Sequence, residues 1–135
     1  MIKKLDHITI NTNDIETTRH FYKEILGFLE QPVTDCGNHR YFFFKIDDYT
    51  VLEVGEYDFD DSIANSSSTA SGKIRHIAFE VDDIFALKER LESAGFFFST
   101  DIAYRGDELG FTSGQLLDPN GIELEFLEYG NAEIR

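Results

Sequence analysis

Residues 5–28, LDHITINTNDIETTRHFYKEILGF, lie over residues 74–97, IRHIAFEVDDIFALKERLESAGFF, at a constant offset of 69. Leu5 falls on Ile74, His7 on His76, Ile8 on Ile77, Ile10 on Phe79, Asp14 on Asp83 and Ile15 on Ile84. Each copy reads as a short strand, an Asn/Asp cluster suited to capping a helix, an amphipathic helix, and a glycine able to end it in the left-handed conformation, Gly27 or Gly95. The strand of the second copy alternates, with Ile74, His76, Ala78 and Glu80 on one side and Ile77, Phe79 and Val81 on the other, which predicts burial of one face only. Gly95 follows Gly27 by 68 residues, so a small indel is expected at the helix end.

The remainder of each half corresponds as well. After the first helix comes YFFFKID (41–47), the turn Asp48-Tyr49 and TVLEV (50–54). After the second comes GQLLD (114–118), the turn Pro119-Asn120-Gly121 and IELEFLEY (122–129). Both predict hairpins. Because residues 41–44 are aromatic on both alternating faces, that strand is expected to be covered on both sides. One further, weakly signalled strand per half is expected around 28–34 and 96–104. The chain thus reads as α+β, one domain over 1–135 made of two tandem βαβββ modules, 1–56 and 74–130. An acidic and then Ser-rich connector, 57–73, would join them, and their curved sheets would form a cleft.

The bulk properties narrow the function. At 135 residues, with 41% hydrophobic residues, the chain has the material for a normal core. Its 12 basic and 26 acidic residues give a formal charge of -14, which repels polyanions and excludes nucleic acid as a partner. The single cysteine, Cys36, rules out an internal disulfide and reads as an ordinary thiol. No apolar run approaches the roughly 20 residues of a membrane span, and the N-terminus turns polar too soon for a signal peptide, so a cytoplasmic protein without a membrane partner is expected.

The repeat also duplicates chemistry. His7 and His76 match, and the hairpin carboxylates at corresponding places are Glu53 and Glu125. One imidazole and one carboxylate per half is what a pseudo-twofold site needs if each half gives two ligands to one ion. Such ligands suit a divalent metal such as Ni, Zn, Co, Fe or Mn. An ion of this kind can polarise a carbonyl while a neighbouring C–H loses its proton, and a glutamate can be the base. Alone, each residue reads as a packed or solvated side chain; it is their recurrence at equivalent places that singles them out. Glu123 shares a face with Glu125 and is expected at the rim. His20, on the first helix, and His39, in a loop, have no counterpart in the other half.

These segments, with LLDPNGIELEF, resemble the vicinal oxygen chelate superfamily of glyoxalase I-like metalloenzymes over nearly the whole chain apart from the connector. His7 and His76 match its two first-strand positions, and the DPNG turn followed by Glu125 is similar to its ligand-bearing hairpin. The resemblance implies paired βαβββ modules, a divalent metal held by His7, Glu53, His76 and Glu125, a small-molecule substrate, and a homodimer in which modules of two chains complete each site. It further implies a lyase or isomerase of the lactoylglutathione lyase type, with Glu125 as the metal-associated base and Glu53 its counterpart. A carboxylate at Glu53 distinguishes that reading from the extradiol dioxygenases and fosfomycin-inactivating thiol transferases, which resemble the chain but use two histidines and one glutamate. Drug-sequestering relatives, in the bleomycin resistance manner, bind without catalysis. Where glyoxalase I carries a basic residue after the first strand this chain has Asn11, and Arg105 in the loop AYRGDELGFTSG can anchor an anionic group; both are candidate substrate contacts.

Overall fold

A computed structural model describes residues 1–58, 71, 72 and 74–133. Most of the expected 57–73 connector therefore lies outside the described residues. The chain divides into two compact units, Met1–Ala64 and Asn65–Arg135.

The first unit runs β1 (His7–Thr12), α1 (Ile15–Arg19) continuing as a π-helical segment (His20–Ile25), β2 (Leu29–Glu30), β3 (Thr34–Asp35), β4 (Arg40–Lys45) and β5 (Val51–Glu56). Its sheet has the order β1-β5-β4-β2, with β3 also on β4, and β1 runs parallel to β5. The second unit runs β6 (Ile77–Glu80), α2 (Ile84–Ser93), β7 (Ala103–Tyr104), β8 (Phe111–Leu117) and β9 (Glu123–Tyr129). Its sheet has the order β6-β9-β8-β7, again with the first strand parallel to the last. The same unit is built twice. The additional strand expected around 28–34 is two short strands, β2 and β3, and that expected around 96–104 is β7.

Both helices start as the Asx cluster requires. Asp14 accepts the Thr17 amide at 3.1 Å and Asp83 accepts the Ala86 amide at 3.0 Å, each satisfying one otherwise orphaned donor of a first turn. Gly27 and Gly95 follow with φ of 79° and 89°, a region closed to most side chains. Between cap and glycine the first copy holds one residue more. It is taken up by the π-helical segment, closed by the Leu26 amide donating to the Phe21 carbonyl five residues back at 2.9 Å.

Each sheet buries one face under its own helix. Phe21, Tyr22, Phe44, Leu52 and Val54 fill the first core; Ile84, Leu91, Leu116, Leu124 and Phe126 fill the second. Each such side chain contributes about 1.5–3 kcal/mol by leaving water. The aromatic strand 41–44 corrects one expectation. Phe42 and Phe44 are buried under the helix, but Tyr41 and Phe43 stay half-exposed, because the helix covers only one side of the sheet. The open face of each sheet carries the candidate site residues. No helix among the described residues is long and apolar enough to cross a membrane.

Candidate functional site

In the first unit, pairing of β1 with β5 sets Thr9 opposite Glu53; in the second, pairing of β6 with β9 sets Ala78 opposite Glu125. The histidine stands two residues before that partner in each case, on the same open face. Its imidazole therefore reaches diagonally to the carboxylate of the neighbouring strand. His7 Nε2 lies 3.8 Å from Glu53 Oε2, and His76 Nε2 lies 3.8 Å from Glu125 Oε1. The carboxylates are largely covered, with side chains 18% and 15% exposed, while the imidazoles are more open at 48% and 25%.

A separation of 3.8 Å is too long for a hydrogen bond. It is within the span of two ligands on one ion, whose bonds of about 2.0–2.2 Å sum to roughly 4.2 Å. Donor types and spacing thus fit half of a transition-metal site in each unit. No cluster of three or more His, Cys, Asp or Glu able to hold a metal forms among the described residues. The structure brings His7 to Glu53 and His76 to Glu125; each pair by itself offers two donors.

The surroundings of the two pairs differ. Asp6 Oδ2 takes a hydrogen bond from His7 Nδ1 at 2.8 Å, which fixes the ring and leaves Nε2 as the basic nitrogen. That bond is the main cause raising the His7 pKa, partial desolvation opposing it and the charge of Glu53 adding to it. In turn His7 and then Lys4 hold the Asp6 carboxyl below its usual range. His76 has no such support, since its Nδ1 is buried without a partner. Opposite Glu53 stands Phe43, whereas opposite Glu125 stands Gln115, whose Nε2 lies 3.5 Å from Glu125 Oε2.

Of the two expected substrate contacts, Asn11 is exposed on the open face of β1, across from Gly55. Arg105 is held by its own unit: Nε donates to Ser113 Oγ at 2.9 Å, and Nη2 donates to the carbonyls of Ser113 at 2.8 Å and Asp101 at 2.9 Å. Ser113 lies two residues before Gln115 on β8. The guanidinium is therefore fixed near the face that carries Glu125 rather than free in its loop. Glu123, on the same face two residues before Glu125, pairs with Leu117 and is only partly covered.

The sequence reading did not anticipate an aromatic group beside Glu53. The ring of His39 stacks on Tyr57, with centroids 5.1 Å apart and planes 14° apart, and meets Tyr41 edge-on at 5.0 Å. A hydrogen bond with Tyr57 is the main influence raising the Tyr41 phenol, with the charges of Tyr57 and, more weakly, Glu53 acting in the same direction. A signal was present. Gly55 breaks a β-branched strand, and glycine inside a strand marks a close approach. A Cβ there would stand 2.9 Å from Tyr57, 3.0 Å from Asn11 and 3.3 Å from Tyr41.

Comparison with known proteins agrees with this architecture. The family described as the Glyoxalase/Bleomycin resistance protein/Dioxygenase superfamily matches residues 4–126. The chain is 30% identical over 129 residues to the uncharacterized protein YaeR of Escherichia coli K12, covering 94% of this chain and 97% of that one. Among solved structures it is similar to a glyoxalase family protein from Enterococcus faecalis, at 26% identity and a TM-score of 0.76 over 93% of this chain and 98% of that one. It shares its fold with the trypanothione-dependent glyoxalase I of Leishmania major, at 21% identity and a TM-score of 0.71 over 94% and 87% of the two chains.

Proposed function

The chain belongs to the glyoxalase/bleomycin resistance protein/dioxygenase superfamily, and from that premise we propose that it is a divalent-metal-dependent lyase or isomerase of the glyoxalase type. It moves a proton at the carbon next to a carbonyl of a small substrate or of its thiol adduct. The observation that supports this reading is the recurrence of one His–Glu pair, at 3.8 Å and in the same strand register, in both units.

The ligands in this reading are His7, Glu53, His76 and Glu125, the two pairs furnished by the halves of one chain or of two chains in a homodimer. The ion, one of Ni, Zn, Co, Fe or Mn, supplies Lewis-acid polarisation of the substrate carbonyl. Glu125 takes the proton, its carboxylate steadied by the amide of Gln115, and Glu53 is its counterpart for returning it. Asp6 keeps the Nε2 lone pair of His7 available. Arg105, fixed by Ser113 and Asp101, and Asn11 hold the remainder of the substrate. The working compartment is the cytoplasm.

Two measurements test this. Metal analysis of protein purified without chelator is expected to find a transition metal. Glu53→Gln is then expected to keep most of that metal while losing turnover of methylglyoxal–thiol adducts. If the metal-loaded parent turns over no such adduct and Glu53→Gln leaves its metal in place, the lyase reading is overturned in favour of a dioxygenase, where His7, His76 and Glu125 suffice. Metal-free protein with its fold intact would instead favour sequestration of small molecules.

A further inference from the structure

The two open faces carry the same His–Glu pair but unlike neighbours. Around Glu125 they are polar: Gln115 opposite, and Ser113 holding Arg105. Around Glu53 they are aromatic: Phe43 opposite, Tyr41 opposite Gly55, and Tyr57 and His39 beyond. Duplication alone does not produce this asymmetry.

The aromatic group is assembled for contact. His39, Tyr41 and Tyr57 are each only partly covered, and their rings are fixed by the stacking and edge contacts already described. Gly55 forms the floor, since any Cβ there would collide with Tyr57 and Asn11. The basic side chains of β4 are turned away from it or stand at the strand's far end. Arg40 turns to Glu56, with bonds of 2.6 and 2.9 Å, and stands over Phe42 on the buried face, while Lys45 lies at the far end of β4 opposite Val51. The strand β4 therefore gives the rings no basic side chain with which to pair an anionic substituent.

We propose that His39, Tyr41 and Tyr57, closing over Gly55 beside Glu53, form a substrate subsite that stacks the aryl group of a small, uncharged aromatic carbonyl compound. The subsite rests on the functional reading above only in taking the Glu53 face as the substrate side. Tyr57 supplies the stacking ring, and Tyr41, bonded to it, sets its orientation. Asn11 borders the same floor with its amide.

The test compares 2-hydroxyacetophenone with hydroxyacetone, its aliphatic counterpart, on the full chain as purified. The ratio of the two affinities cancels whatever a bound metal contributes to both. With no tryptophan and six tyrosines in the chain, tyrosine emission reports binding directly. The aryl ketone is expected to bind about three- to tenfold more tightly. Tyr57→Leu, apolar but ringless, is expected to bring the ratio close to one, and Tyr41→Phe to lower the aryl affinity about two- to fivefold with packing kept. Equal affinities in the parent protein, or an undiminished ratio in Tyr57→Leu, would overturn the subsite. Should Tyr57→Leu fail to fold, an unchanged aryl affinity in Tyr41→Phe would do the same. An aryl preference found in parent protein that turns over no methylglyoxal–thiol adduct keeps the subsite and removes only the lyase reading.

Discussion

At the scale of single residues, the two histidines are equivalent in sequence and unequal in their support. Asp6 braces His7, while the buried Nδ1 of His76 has no partner. Asp6→Asn is therefore expected to lower the His7 pKa, which NMR titration of its imidazole protons will read. The sign follows from the raised His7 value. The Asp6–His7 pairing stabilises the fold below the unfolded histidine value of about 6.5 and ceases to do so as pH climbs through the folded one. Metal binding runs oppositely, since it needs the deprotonated ring. Loss of the brace is expected to weaken metal affinity about tenfold, toward the low end for such orienting groups because Asp6 is exposed. The four candidate ligands were legible in the sequence because duplication repeats them. His39 was not, because it has no counterpart and its role lies in ring contacts across strands that no spacing encodes.

At the scale of elements, caps, helix ends and hairpins were legible because each depends on local chemistry. In the DPNG turn the buried Asp118 carboxylate accepts the amides of Asn120 and Ile122, both at 2.8 Å, and Gly121 takes a φ of 83°. Gly121→Ala is expected to cost about 1 kcal/mol in chemical denaturation. Gly114→Ala should cost more, about 1–3 kcal/mol, since its Cβ would meet Phe98 at 2.7 Å and Ile102 at 2.8 Å inside the second unit. Glu30 ties β2 to the first helix through Arg19 and Lys23, both at 2.9 Å. Burial pushes its carboxyl up, and the bonds from Lys23 and Arg19 outweigh this, leaving it lowered. Its contribution, about 1 kcal/mol, is thus present above the unfolded carboxyl value and is lost as pH falls through the folded one. Glu30→Gln should destabilise at pH 7 and make no difference in acid, as paired melting curves will show. The misjudged element was strand 41–44: its aromatics look like core on both faces, but residue type does not reveal whether a ring is covered by a helix or kept open for a ligand.

At the scale of the whole molecule, the repeat was visible as a sequence offset and returns as two units with the same strand order. Since the proposed ion binds the folded state alone, saturating Ni or Zn at constant ionic strength should raise the melting temperature. A concentration one hundred times Kd corresponds to about 2.7 kcal/mol. Chelator should reverse the rise, and His7→Ala combined with His76→Ala should abolish it, as differential scanning calorimetry can measure. Ionic strength must be held fixed because the net charge of -14 makes the chain sensitive to screening.

The widened turn at His20–Ile25 has one more consequence. Each residue of a regular helix advances it by about 100°, so an added residue would ordinarily swing everything beyond it to a new side. By bulging, the first copy has swallowed its surplus amino acid without disturbing Asp14 upstream or Gly27 downstream. Twin segments were thereby free to drift apart in length while the sheets beneath them kept step, which is how a gene fused to its own duplicate can grow dissimilar without coming apart.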